Sequence, residues 1–205
     1  LVWRDILDKQ ITSTKQKLLD VSTRLMMSKG YNVTTVEEIC KIADVTKGAF
    51  FHYFKTKEDL GVHVLNAYWQ TRSRQFSESD WMTASTPLQQ IQRFLVVVAD
   101  IFMDDPNGYS CLAGSFSLEL ASTSPLFREL VSQLFAEWAQ QIKPILHVAK
   151  MLASSPDDID VDLLADYIIA VIEGALILAL ARQDRFVIAK QLKVLNAHLQ
   201  MMFSR

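Results

Sequence analysis

Residues 35–53 read TVEEICKIADVTKGAFFHY, and this stretch decides the fold. Thr35 followed three residues on by Glu38 has the spacing of a helix-opening capping box, in which a hydroxyl accepts from a backbone N–H that the first turn leaves without a partner. The pattern predicts a short helix to about Ile42, a tight connection over Ala43-Asp44-Val45, and a second helix capped by Thr46. The apolar positions Val36, Ile39, Ile42, Val45 and Phe50 are spaced to lock the two helices together. Thr46, Lys47, Ala49, His52 and Tyr53 are then left outside, and the small residues Gly48 and Ala49 let the backbone approach another surface closely. Two helices joined in this way form a helix-turn-helix, whose second helix fits a DNA major groove.

Outward from this stretch the same periodicity continues. Lys29-Gly30 closes a preceding helix with a basic last turn and a residue suited to positive φ, and Thr56 with Asp59 opens a long helix to about Ser77, followed by a polar loop up to Pro87. Further helices are predicted near 87–104, 111–121, 125–153, 157–182 and 185–203. Ser124-Pro125 and Ser155-Pro156 act as starts, Asp105-Pro106-Asn107-Gly108 as a turn, and Pro144 as a kink. The expected class is all-α with about nine helices: a three-helix helix-turn-helix domain over 1–60 and a helical effector-binding and dimerisation domain over 61–205.

Composition agrees with a helical globule. Half of the 205 residues are hydrophobic, enough for a sizeable core, and 6 glycines and 5 prolines are few breakers for this length. The net charge of -2 conceals an asymmetry: 10 basic against 8 acidic residues through Leu60, then 11 against 15. Cys40 and Cys111 lack CxxC spacing, so neither a disulfide framework nor a zinc site is expected. Leu1-Val2-Trp3-Arg4-Asp5 opens no apolar stretch of signal-peptide length, and a cytoplasmic setting is expected. Leu163–Leu180 is apolar enough to suggest a membrane span, but Asp166 and Glu173 interrupt it, so a buried helix and no membrane are expected.

Over Lys17-Leu18-Leu19, Lys29-Gly30-Tyr31, Thr34-Thr35-Val36, Ile39, Ala43 to Gly48 and Phe50 to Leu60, the sequence resembles the TetR family of transcriptional regulators. About fifty residues keep the family's order and spacing; the remainder resembles it in helical layout. The resemblance implies a homodimer that places two recognition helices in successive major grooves of a pseudo-palindromic double-stranded operator, with repression as the usual outcome. It implies that Thr35 meets a phosphate, that Thr46, Lys47, Gly48 and Ala49 line the groove, that Tyr53 and Lys57 hold phosphates, and that His52 reaches a base edge or a phosphate. Phe51 shares this face but stands where the family usually has Tyr, which removes a hydroxyl. Asp44 stands where Gly is frequent and Cys40 where Ala is; Asp tolerates a left-handed turn better than most residues.

The second half points to sensing. Phe102, Cys111, Phe116, Trp138, Tyr167 and Glu173 are candidate contacts for a small-molecule effector, each with ordinary core packing as the competing reading. Asp166 and Glu173 lie two turns apart on an apolar helix, so one of them is a candidate to face a cavity. Cys111 at a helix start suggests a lowered thiol pKa and, as an alternative mechanism, redox or electrophile sensing. For dimerisation, Ile188, Leu192, Leu195, Leu199 and Met202 repeat at steps of four and three, and on the preceding helix the small residues Ala170, Gly174, Ala175, Ala179 and Ala181 offer close approach, with Ala170, Gly174 and Leu178 expected at the interface. Asp158, Asp160 and Asp162 mimic a calcium-loop start, but Leu163 replaces the required Gly. No metal, cofactor or catalytic constellation is expected. The competing function class is a small-molecule-binding or enzymatic helical protein whose reader no longer contacts DNA.

Overall fold

The computed structural model describes residues 13–105, 110–153 and 159–203, with only the backbone at Ser13, and every element among them is helical. In chain order these are α1 (Ser13–Lys29), α2 (Val36–Ala43), α3 (Lys47–Tyr53), α4 (Lys57–Glu78), α5 (Pro87–Met103), α6 (Leu112–Leu120), α7 (Pro125–Leu152), α8 (Val161–Arg182) and α9 (Phe186–Phe203). The chain divides into two compact units, one ending at Tyr68 and the other beginning at Trp69, and α4 contributes to both.

In the first unit α1 packs on α2 and α2 on α3 around fully buried Leu18, Met26, Ile39, Phe50, Phe54 and Leu60. Gly30 ends α1 at φ 94, the left-handed value that favours glycine. Buried Ser22 and Thr34 each donate to a carbonyl one turn back, at 2.6 Å to Leu18 and 2.7 Å to Gly30. The inner face of α2 is Ile39, Cys40 and Ala43, whereas Ile42, expected inside, is half exposed. With each residue advancing roughly 100°, a face centred between Ile39, Cys40 and Ala43 leaves Ile42 more than a quarter-turn away.

The second unit is built on α7, α8 and α9, with α9 packed on both α8 and α5 and α7 on α5, α6 and α8. Thr86, Ser124 and Asp160 cap α5, α7 and α8 by accepting first-turn N–H groups. α7 runs through Pro144 as one element. The expected start of α8 at Ser155-Pro156 lies outside the described residues; the helix begins at Val161, and Asp160 provides its cap. The loop expected before Pro87 contains a 3-10 turn, Trp81–Thr83, because buried Trp81 packs edge-on to Phe94 at 5.4 Å.

The four-three stripe of α9 is corrected. Ile188, Leu192, Leu195 and Leu199 are sealed inside the unit and cannot form a surface for a second chain, and Met202 is half-buried. An apolar stripe identifies a buried face without identifying what buries it, and here α5 and α8 do. What faces outward is a different stripe: Leu163, Tyr167, Ala170, Ile177 and Leu178 on α8, with Phe186, Val194 and Met201 on α9. Half-buried Gly174 belongs to it, since a Cβ there would meet open space. Thus α8, although long and apolar enough by composition to cross a membrane, is buried on one face only.

Candidate nucleic-acid interface and sensor core

Three residues set the two helices and the turn between them. Thr35 sits in extended backbone and accepts from Glu38 N–H at 3.2 Å. Asp44 takes the left-handed conformation (φ 54, ψ 52), and the following Val45 N–H closes back on the Cys40 carbonyl at 3.0 Å. Thr46 then accepts from Ala49 N–H at 3.1 Å and starts α3. Replacing Thr46 by Ala is expected to destabilise the first unit by about 1 kcal/mol in urea unfolding followed by circular dichroism; an unchanged midpoint would show that the cap is not needed.

With Phe50 anchored inside, α3 presents Lys47, Gly48, Phe51 and His52 to solvent, with Ala49 and Tyr53 half-buried beside them. A Cβ on Gly48 would meet nothing closer than Thr46 Oγ1 at 3.7 Å, an ordinary contact, so nothing in the chain itself requires a glycine here. Lys57 lies 4.3 Å from the centre of the Tyr31 ring and donates to the Asn32 carbonyl at 3.2 Å. Burial, and after it Glu58, pushes the Tyr31 hydroxyl up to about 12, so the ring beneath Lys57 stays neutral. Two further lysines are held by α2: Lys47 by Glu37 and Lys29 by Glu38. These pairs escaped the sequence reading because the partners are nine and ten residues apart, outside any helical spacing.

In the second unit Phe102, Cys111, Phe116 and Trp138 are buried, and Phe116 stands edge-on to Phe127 at 5.3 Å. Tyr167 does not join them; it lies on the outward face of α8, with its hydroxyl 3.2 Å from His198 Nδ1. Of the two carboxylates within the apolar run of α8, Asp166 faces out and Glu173 faces in; the third, Asp162, lies exposed in the first turn. The Glu173 carboxyl lies against Gly114, where a Cβ would come within 2.3 Å of Oε2, and Oε1 is buried without a hydrogen-bond partner. Burial pushes the Glu173 carboxyl up to about 7, although the Cys111 thiol, which donates to it, works in the other direction.

The thiol itself is not activated. Burial and the neighbouring carboxyl hold Cys111 well above its usual range and outweigh the first-turn N–H groups of α6. The expected dipole-lowered thiol is therefore corrected, because a helix-terminus effect of a fraction of a unit charge loses to full desolvation. Trp138 packs edge-on to Trp69 at 6.2 Å and beside Phe76 at 6.5 Å, and its Nε1–H is buried without an acceptor. Two contacts here carried no signal in the sequence. Trp69 Nε1 donates to Glu137 at 2.9 Å, and Arg72 forms a nearly buried ion pair with Asp105 while its guanidinium lies 5.4 Å from the Phe102 ring.

Residues 18–64 match the family model of bacterial regulatory proteins of the tetR family, and residues 87–191 match that of the LmrA/YxaF-like transcriptional regulator C-terminal domain. The chain is 28% identical to the transcriptional repressor DhaR of Mycobacterium sp. (strain GP1) over 166 residues, covering 81% of this chain and 82% of that one. It is 26% identical to the transcriptional regulator AcuR of Cereibacter sphaeroides over 164 residues, 80% of this chain and 75% of the other. A solved regulatory protein TetR from Rhodobacter sphaeroides superposes with a TM-score of 0.79 at 24% identity, over 91% of this chain and 99% of its own.

Proposed function

Since the chain belongs to the TetR family of transcriptional regulators, we propose that it represses by gripping a pseudo-palindromic operator as a homodimer in the cytoplasm and releases it when a small molecule enters its C-terminal unit. DNA reading is assigned to residues 1–60 and effector binding with dimerisation to 61–205. Thr35 and the first N–H groups of α2 meet one phosphate; Thr46, Lys47, Gly48, Ala49 and His52 face the groove; Tyr53 and Lys57 hold the flanking backbone. Exposed Gly48 is the observation that carries this reading: with no side chain of its own and no neighbour closer to it than an ordinary contact, it lets the backbone of α3 come close to a surface outside the chain. Phe51, half exposed, meets DNA by contact rather than by a hydrogen bond.

The second copy docks on the outward stripe of α8 and α9. This face exposes large apolar side chains along both helices, and its glycine and alanine at 174 and 170 allow two helices to approach closely. The effector site is assigned to Phe102, Cys111, Phe116, Trp138 and Glu173; the indole N–H and the carboxylate oxygen left without partners there are the polar groups a ligand would satisfy. Among the described residues α4 is the one helix that contributes to both units, so a ligand that binds unequally to two positions of α4 alters the spacing of the recognition helices, which must match one DNA turn of about 34 Å.

The test is selection of bound duplexes from a randomised pool, followed by salt titration with the wild-type chain and with Ile177→Glu. We expect a two-half-site sequence from the wild type, affinity that falls steeply with salt, and a monomer with no site-specific binding from the variant. A flat salt response, or unchanged dimerisation and binding in Ile177→Glu, refutes the reading.

A further inference from the structure

Both carboxylates of the first turn of α2 are engaged by lysines, and one of those lysines is the first residue of the recognition helix. Glu37 reaches across the turn to Lys47, with both side chains more than half exposed. Neither group is needed by the core, which α2 fills with Ile39, Cys40 and Ala43. In a domain whose work is proposed to be phosphate contact, this is an unusual use of a cation: the lysine best placed for the groove is neutralised by its own chain. We propose that Glu37 is a specificity determinant, holding the Lys47 ammonium away from phosphates so that Lys47 reaches DNA only where a docked recognition helix offers base contacts that offset loss of the pair.

The physical basis is a competition at unequal distances. A carboxylate in contact outcompetes a phosphate several ångströms away across water, because Coulomb attraction in high dielectric falls off with both distance and screening. In a loosely registered complex the Lys47–Glu37 pair therefore survives and contributes no counterion release. At a matched site, α3 is seated in the groove, base edges and phosphates come to contact distance, and an exposed pair is weak enough to yield. The binding of Lys47 to Glu37 also holds the Glu37 carboxyl below its usual range, so the guard stays ionised through the neutral range.

This inference rests on the DNA-binding reading above, and its test separates the two. Fluorescence anisotropy with a labelled duplex of scrambled sequence and with the selected site is measured across a salt series for wild type, Glu37→Gln, and Glu37→Gln with Lys47→Gln. For scrambled DNA, Glu37→Gln is expected to steepen the slope of log affinity against log salt by about 1.8, roughly 0.9 for each protomer of the dimer, and to raise affinity roughly thirtyfold at about 0.15 M, the factor two added phosphate contacts supply relative to 1 M. The slope for the selected site stays unchanged, since Lys47 is already engaged there, and the double variant loses the gain. If Glu37→Gln leaves the scrambled-DNA slope as it was, the guard does not exist. If it instead weakens the selected site alone, Glu37 positions Lys47 for its contact and the proposal is overturned. If the wild type binds neither duplex, the DNA-binding reading fails first.

Discussion

Asp105→Asn is expected to cost the C-terminal unit about 3–5 kcal/mol, the usual loss when one partner of a buried ion pair is removed. The Asp105 side chain is 6% exposed and the Arg72 side chain 11%, so neither charge has water to fall back on. Arg72 keeps a guanidinium edge near the Ile101 carbonyl at 3.5 Å and a face over Phe102, but neither neutralises a full charge. Asparagine preserves the shape of the acid and removes the negative charge that faces the arginine, which isolates the electrostatic term from packing. Urea unfolding of the full chain, followed by the near-ultraviolet signal of Trp69, Trp81 and Trp138, reads the loss from the C-terminal side. Arg72→Met with Asp105→Leu is expected to recover most of it, because an apolar pair avoids the desolvation that the ion pair must overcome. A loss below about 1 kcal/mol in Asp105→Asn would mean that the pair is screened like a surface one.

The Arg72–Asp105 pair also marks where the sequence stops being legible. Caps and turns were readable because each is a local contract among neighbours: Thr35 with Glu38 N–H, Asp44 in a left-handed turn, Thr46 with Ala49 N–H, and Gly30 at positive φ. Helix starts at Pro87 and Pro125 followed for the same reason. The interior location of Glu173 was only half readable, since Asp166 and Glu173, two turns apart on an apolar helix, leave undecided which one faces inward. Contacts such as Arg72 with Asp105, 33 residues apart, and Trp69 with Glu137, 68 apart, have no local signature. The α9 stripe shows a deeper ambiguity. Leu192, Leu195 and Leu199 have the periodicity of a seam in either case, and only the presence of α5 and α8 against them decides that the seam is internal. The outward stripe, with Tyr167, Ile177, Val194 and Met201 set among lysines and alanines, is less regular and reads as ordinary surface until the buried faces are subtracted.

Glu173→Gln is expected to stabilise the protein at pH 8 by roughly 3 kcal/mol and to leave it unchanged near pH 4. The sign follows from linkage. An acid whose folded pKa lies near 7, against 4.5 for the ordinary value, is held protonated by the fold. Its contribution is fully present below the unfolded pKa, drains away as pH rises between 4.5 and 7, and is gone above the folded value, where the carboxylate must ionise in the core. A shift of this size corresponds to about 3 kcal/mol at roughly 1.4 kcal/mol per pKa unit. Glutamine keeps the volume against Gly114 and an oxygen for the Cys111 thiol but cannot ionise, so the variant lacks this one contribution to the pH dependence. The difference between the two curves, measured by urea unfolding at half-unit intervals, should grow as pH rises from 4.5 to about 7 and level off above that; parallel curves over the same window would refute a buried, proton-holding carboxyl. The unpartnered Oε1 gives this instability a direction. Any bound group that donates a hydrogen bond or brings a positive charge to Glu173 favours its ionised form, so the free energy lost by the empty protein at neutral pH is available to increase affinity for such a ligand over an apolar one of the same shape.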